Sequence, residues 1–432
     1  MTEPGAGAGA RAARATGLRP VWAEIDLDAV RHNARVLSDI VAPARLCAVV
    51  KADAYGHGAV AVARAALEGG AEWLAVALVE EGMALRAAGL DAPVLVLSEP
   101  PAEAMGALVD AGLTPTLYTR PGVRALAEAA EASHRVVDVQ VKLDTGMHRV
   151  GADAADLAEV VGAVVASAHL RFAGLWTHFA VADGQAAEDR AFTTAQLERF
   201  REARLALAAA GLEAPLHHAA NSAAAIAFPD TRLDLVRCGI ALYGLLPDPS
   251  MAGALELAAR AAGIEPGDER TGAAGLLRPV LSLKARVSMV RSLDEGERPS
   301  YGRRYPLPEP STVATVPIGY ADGVPRRYFE EGGTVLVRGR HRPLAGTVTM
   351  DQVVLDCGPD PDVRPGDEVV LIGRQGNAEV GAWDWARTLG TIAYEVVCGV
   401  GPRVPRVVVE AERARAGADR LGGGAPVVEG DR

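Results

Sequence analysis

Between Leu46 and Gly239 the sequence repeats one rhythm eight times, and this rhythm constrains the fold more than any other feature. Nearly continuous apolar runs occur at 46–51, 72–78, 94–98, 114–118, 137–144, 171–178, 216–221 and 233–239. Between most of them lie Ala/Leu/Glu-rich stretches with helical spacing, such as 153–166 and 187–210. Strands that are apolar along their whole length are covered on both faces, as in a parallel sheet. Eight strand–helix units in about 200 residues point to a closed (β/α)₈ barrel. Periodicity alone leaves an open doubly wound sheet as the alternative.

The rhythm stops after Pro247. Residues 248–278 are rich in Pro, Gly, Ala and acidic residues and read as a connector with a short helix. From 279 to 411 short alternating pieces (LKARVSMV, STVATVPIG, GTVLVRG, DEVVLIG) are separated by Gly, Pro and Asp, the pattern of a mainly antiparallel β domain. The barrel unit is taken as 21–247. Its first segment, VWAEIDLDAV, precedes the rhythm, so strand 21–27 is free to pair with the β domain. Residues 1–20 and 412–432 read as disordered tails, because neither carries the apolar core of a secretory signal.

A net charge of −11 argues against a nucleic-acid or anionic-membrane partner. No apolar run is long enough to span a bilayer. Four scattered cysteines without CxxC spacing predict neither disulfides nor a zinc site and fit a reducing cytoplasm. No metal-ligand spacing, P-loop or GxSxG elbow is present.

A barrel of this type carries its site at the C-terminal ends of its strands, and polar groups gather there. The first run ends in Lys51, Asp53 and Tyr55. The fifth ends in VKLDTGMHRVG, with Lys142, Asp144, Met147 and Arg149. The sixth gives His178, the seventh His217, His218, Asn221 and Ser222, and the eighth Arg237, Gly239 and Tyr243. A lysine desolvated at a strand end is a usable amine, able to condense with an aldehyde. The plainer account is a lysine whose ammonium snorkels to water. Ser222 and the backbone at Gly239 and Ile240 lie where such barrels bind phosphate, or they are an ordinary N-cap and turn. Arg237 either donates to a heteroaromatic nitrogen or pairs with a carboxylate such as Asp234. The histidines at 217 and 218 face opposite sides of their strand. In the β domain, Tyr320 in IGYADG is a candidate base or a turn tyrosine, and Met350 beside Asp351 reads on its own as core.

AVVKADAYGHGA (48–59) resembles the pyridoxal-phosphate attachment motif of bacterial alanine racemases. KLDTGMHRVG, THFA, ANSAA, VRCGIALYG, IGYADGVPRR, TVTMDQ and AYEVVCGVGPRVPR resemble the same family in the same order, from Val21 to Arg406. The resemblance implies a (β/α)₈ barrel with a C-terminal β domain. It also implies a homodimer and interconversion of L- and D-alanine, which supplies D-alanine for peptidoglycan. It gives Lys51 as the amine that holds pyridoxal 5'-phosphate and serves as the D-side base. Tyr320, reaching the partner's site, is the L-side base. Arg237 faces the pyridine nitrogen, supported by His178 and His218. Tyr55, Ser222, Gly239, Ile240 and Tyr394 hold the phosphate, and Arg149 and the Met350 amide bind the substrate carboxylate. Asp351 is a supporting residue, as is Lys142, at a position often carbamylated in the family. His148 stands where the family more often has glycine, and Thr347 where it frequently has arginine. The nearest rivals are a serine or broad-specificity amino-acid racemase, a decarboxylase on a related barrel, and a non-catalytic carrier of the cofactor.

Overall fold

The computed structural model describes residues 18–265 and 275–410. The expected tails, apart from 18–20, and part of the 248–278 connector lie outside the described residues.

Each of the eight apolar runs contains a strand: β2 (Arg45–Val49), β3 (Trp73–Val76), β4 (Val94–Val96), β5 (Thr114–Leu117), β6 (Val137–Lys142), β7 (Leu170–Trp176), β8 (His217–His218) and β9 (Leu235–Cys238), after β1 (Val21–Asp26). All pair in parallel in the order β8-β7-β6-β5-β4-β3-β2-β9. The two ends of that order meet: Asp234 N–H donates to His217 O at 3.1 Å, and Arg237 N–H to Ala220 O at 3.0 Å. An open sheet would leave those groups to other partners, so the closed reading holds. β8 is short because the chain turns at Asn221 into the helix Ser222–Ala227.

The β domain contains β10 (Leu281–Arg286), β11 (Met289–Leu293), β12 (Ser311–Val316), β13 (Thr334–Val337), β14 (Arg340–Pro343), β15 (Val353–Asp356), β16 (Glu368–Gln375), β17 (Ala378–Val380) and β18 (Arg406–Val409). One sheet runs β14-β13-β16-β10-β1-β18, with β17 on β16, and a second runs β11-β12-β15. β1 therefore does pair with the β domain, antiparallel to β10 and parallel to β18. β10 alternates buried and partly exposed residues along LSLKAR, the signature of a one-faced strand. On its outer face Lys284 meets Glu24 at 2.9 Å and Glu368 at 3.6 Å, one on each neighbouring strand. Such cross-strand pairs help fix register.

The connector is more than a linker, since its helix Ala252–Ala261 packs on the helices Leu27–Val41 and Ser222–Ala227. Barrel and β domain are joined by polar side chains satisfied across the seam. Just before the β domain, the Asn33 side chain ties the end of the connector to the barrel, donating to Leu242 O and Arg278 O and accepting from Arg278 N. Arg406 donates to the carbonyls of Gly56, Val400, Gly401 and Val404. Gly56 belongs to the segment that carries Lys51, so this seam reaches the candidate site. Among the described residues no helix is long and apolar enough to cross a membrane.

Candidate active site

Lys51 does not end a strand. β2 closes at Val49, and the chain then makes a left-handed turn in which Ala52, Asp53, Ala54 and Tyr55 have φ of 53°, 51°, 55° and 54°. Left-handed L-residues cost roughly 1–2 kcal/mol each, and non-glycine residues seldom adopt this conformation in series. Several contacts hold the turn. Glu81 accepts from Ala52 N–H at 2.6 Å, Asp53 Oδ1 accepts from Ala59 N–H at 2.7 Å, and His57 N–H donates to Ala54 O at 3.1 Å. Gly56 continues at φ +80°, where a Cβ would lie 2.7 Å from Val397 O. Backbone strain over-determined in this way is typical of functional sites. Here it turns both Lys51 and Tyr55 towards one cavity.

That cavity, of about 530 Å³, opens at the C-terminal ends of the barrel strands and is also lined by Lys142, Arg149, His178, Ser222, Arg237, Gly239, Ile240 and Tyr394. Ten of the expected site residues therefore meet at one place. Burial pulls the Lys51 amine below its ordinary range, and the Arg149 charge adds to the effect. Lys142 falls further, to about 7, through burial and then the charges of Arg237 and Arg149. Both lysines thus reach the neutral amine form more readily than a surface lysine.

Arg237 is held by four acceptors and a ring while still lining the cavity. It donates to His218 Nδ1 at 2.6 Å, Thr177 O at 2.8 Å, Ala219 O at 2.9 Å and His178 Nδ1 at 3.2 Å. The suggested ion pair with Asp234 is not formed; Asp234 instead meets His217 Nδ1 at 3.4 Å on the outer side of the strand. Burial lowers Arg237 to about 10, so the guanidinium stays charged at neutral pH. Burial and then that charge hold His178 and His218 well below the usual histidine range. Both rings are therefore neutral, with Nδ1 accepting. This assigns the His218 proton to Nε2, which donates to Gln140 Oε1 at 2.6 Å. Trp176 stacks on His218 with ring centroids 5.4 Å apart and lies under both Arg237 Cζ (4.5 Å) and Lys142 Nζ (4.8 Å).

A group of neutral donors gathers at the other side of the cavity. Ser222 is the first residue of its helix, not its cap; Asn221 caps it by accepting from Ala224 N–H. The freed Ser222 Oγ accepts from Gly239 N–H at 2.9 Å. A side chain at 239 would place its Cβ 2.4 Å from Tyr55 Oη, so the approach of these groups requires glycine. Burial raises the Tyr55 and Tyr394 phenols, which keeps them protonated as donors.

Tyr320, Met350 and Asp351 are elsewhere. They do not line this cavity, and they form one exposed patch on the β domain. Tyr320 N–H donates to Thr349 O at 3.0 Å and Ala321 N–H to Met350 O at 3.1 Å. Tyr320 is 43% and Met350 52% exposed, which overturns the reading of Met350 as core. The patch is braced by Asp322, fully buried, which pairs with Arg19 at 2.7 Å and Arg403 at 3.3 Å; Arg403 also holds Asp351 at 2.7 Å.

The sequence reading missed Gln140 and Trp176. Each lies two residues before a chosen residue, Lys142 and His178, and so on the same face of its run. A glutamine inside an apolar strand was the available signal. His57 is buried and pins the left-handed turn, with Nδ1 2.9 Å from both Ala54 O and Tyr55 O. His148 has φ +54° and contacts Asp144 at 3.3 Å, which explains why glycine suits its position. Thr347 is buried and donates to Tyr301 O at 2.9 Å.

The alanine racemase N-terminal domain model matches residues 25–247 and the alanine racemase C-terminal domain model residues 280–408. An alanine racemase of Symbiobacterium thermophilum is 43% identical over 90% of this chain and 97% of its own. The crystal structure of alanine racemase from Streptomyces lavendulae is 38% identical, with a TM-score of 0.81 over 91% of this chain and 98% of that one. A histidine racemase from Leuconostoc mesenteroides is 28% identical, with a TM-score of 0.76 over 91% and 99%. With both of its domains matched and its relatives covered almost end to end, this chain belongs to the alanine racemase family.

Proposed function

We propose that the chain racemises alanine with pyridoxal 5'-phosphate bound in the Lys51 cavity, and that a second copy of the chain completes the site. The observation that carries this is the Lys51 amine, depressed by burial and Arg149, in one cavity with a buried guanidinium and a neutral donor corner.

The residues fit the cofactor. The hydroxyls of Tyr55, Ser222 and Tyr394 and the backbone at Gly239 and Ile240 form a cradle for a phosphate, and Gly239 is required for its closeness. Arg237, locked by two neutral histidines and two carbonyls, can only donate to a ring nitrogen and so leaves it unprotonated. When bound, the cofactor acidifies the substrate Cα as an electron sink. Lys51 holds it and moves the Cα proton on one face. Arg149, together with the Met350 amide brought like Tyr320 by the second copy of the chain, fixes the substrate carboxylate. Lys142 near neutrality has the free amine that carbamylation needs, and a carbamate there would orient Arg149.

The opposite face needs a second base, and Tyr320 is the candidate. Its position outside its own chain's cavity supports delivery from a partner subunit. The exposed patch of Tyr301, Tyr320 and Met350 offers the apolar surface for that contact.

The test uses the purified protein in deuterated water with D-alanine. The unmodified protein forms L-alanine and exchanges the Cα hydrogen. Tyr320→Phe loses L-alanine formation but keeps exchange into D-alanine, and Lys51→Ala loses both along with the visible absorbance of the bound cofactor. Normal racemisation by Tyr320→Phe refutes the two-base assignment.

A further inference from the structure

Arg406 opens β18, the strand at the end of the larger sheet, and its guanidinium spans the seam between β domain and barrel. Its hydrogen-bond acceptors are all main-chain carbonyls. Nε donates to Gly56 O at 2.9 Å, Nη1 to Gly401 O at 2.6 Å and Val404 O at 2.7 Å, and Nη2 to Val400 O at 2.6 Å. The Nε side thus holds the barrel, and the Nη side holds the loop 399–404. Burial draws the guanidinium below its ordinary range, and the charge of Asp53, itself in the Lys51 turn, opposes that.

Each side leads to one of the two candidate bases. Gly56 ends the left-handed turn that carries Lys51. A Cβ there would lie 2.7 Å from Val397 O, so the turn closes directly on the helix Ala393–Cys398, which brings Tyr394 to the cavity. The loop that follows this helix seats the Tyr320 turn. Gly401 N–H donates to Asp322 O at 2.9 Å, and a Cβ on Gly323 would meet Gly399 O at 2.3 Å. Arg403, from the same loop, holds Asp322 and Asp351. The path from the Lys51 turn through Gly56, Arg406 and the loop to the Tyr320 turn is therefore an unbroken set of contacts, the kind of network along which two sites can be coupled.

We propose that Arg406 is a positioning residue for both faces of the proton transfer. It sets the Lys51 turn in its own cavity and the Tyr320 turn that the same chain delivers to a second copy. The proposal rests on the reading of Lys51 and Tyr320 as the two bases. A lysine cannot take over this task, because its ammonium is one point charge, whereas the planar fork reaches carbonyls on both sides of the seam. Because the two turns serve different cavities, losing the fork in one chain loosens the D-side base of one cavity and the L-side base of the other.

Arg406→Lys in the full-length, cofactor-loaded protein tests the proposal. Amide hydrogen exchange, followed by mass spectrometry, should quicken by about tenfold at residues 52–58 and at 319–324, while the barrel strands β6 and β7 stay unchanged. In deuterated water, exchange of the alanine Cα hydrogen should slow by about tenfold from D-alanine and from L-alanine, which report the Lys51 and Tyr320 faces separately. The acid limb of the D-alanine profile should also move to higher pH, because a relaxed turn returns water to the Lys51 amine. Faster amide exchange in only one segment, a deficit on one face alone or an unmoved acid limb overturns the proposal. A uniform rise across the barrel strands makes Arg406 a stabiliser of the fold only and overturns it too. If the unmodified protein does not turn over alanine, the assignment of the bases fails instead, and the amide exchange still decides whether Arg406 joins the two turns.

Discussion

Gln140→Leu tests the buried relay behind Arg237. Gln140 is fully buried and accepts from His218 Nε2 at 2.6 Å, while His218 Nδ1 accepts from Arg237. Leucine has nearly the same volume, so the cavity contribution is small. The stranded Nε2–H then costs about 1–3 kcal/mol. If the proton moves to Nδ1 instead, it confronts an Arg237 N–H at 2.6 Å and the cost reappears as two opposed donors. Leucine also removes the Gln140 Nε2 group, which has no partner among the described residues. That relief brings the net loss to about 1–2 kcal/mol, or roughly 2–8 °C in Tm for a domain of this size. Arg237 loses a fixed acceptor at the same time, so cofactor retention on dialysis should fall. The discriminating assay is a double-mutant cycle with His218→Phe, where no ring N–H remains to be stranded. A coupling of about 1 kcal/mol is expected. Additive melting temperatures, or unchanged cofactor retention in Gln140→Leu, would refute the relay.

His148→Gly should raise stability by about 0.5 kcal/mol, because relief of the left-handed φ of +54° slightly exceeds the added chain entropy and the lost Asp144 contact; a thermal melt measures it. Asp322→Asn breaks a buried carboxylate's pairs with Arg19 and Arg403, two partners that can partly re-solvate, and should cost about 2–4 kcal/mol in a urea titration. Stability should fall as pH drops from 6.5 towards 4. His57 (about 4), His178 and His218 all have folded pKa values below the ordinary 6.5, so the unfolded chain takes up more protons in that window. Each contributes a slope of up to about 1.4 kcal/mol per pH unit, and a urea midpoint that stays flat from pH 7 to 4.5 would contradict the assignment of neutral rings.

The barrel was legible because both faces of its strands are covered, which writes eight apolar runs directly into the sequence. The pairing of β1 with β10 was readable as a freedom, since VWAEID alternates while the barrel strands do not. The left-handed turn was not legible. ADAY contains no glycine at the four inverted positions, and their φ values are held by Glu81 and Arg406 from distant parts of the chain together with the local contacts of Asp53 and His57. Of the two roles left open for Ser222, the N-cap falls to Asn221 instead, because Asn and Ser are both good caps and only the fold decides which one bonds the helix. The exposure of Met350 was hidden for a related reason. Its neighbours alternate like a strand, but the chain there is a loop whose carbonyls are taken by the turn at Tyr320.

The cavity also explains how a chain with a net charge of −11 would hold the anionic ligand proposed for it. Lys51, Lys142, Arg149 and Arg237 all line it, and no Asp or Glu does. These cations do two things at once. They favour a phosphate and a carboxylate by charge, and, acting on one another, they push the two lysines towards the neutral amine, as the charges of Arg149 on Lys51 and of Arg237 and Arg149 on Lys142 show. A carboxylate placed nearby to pair with the lysines would undo both effects, since it would repel the ligand and hold the amines protonated. The acidic groups close to the site are therefore engaged with backbone: Asp144 accepts from the N–H groups of Gly146, Met147 and His148, and Glu81 from those of Ala52, Ala77 and Leu78. They shape the loops that carry Arg149 and Lys51, and the charges they still exert, Glu81 on Lys51 and Asp144 on Lys142, raise those amines less than burial and the arginines lower them. Binding the anion and preparing the amine are thus one electrostatic arrangement, and the neutral histidines beside Arg237 complete it, because a protonated ring there would turn an acceptor of the guanidinium into a fifth repelling charge.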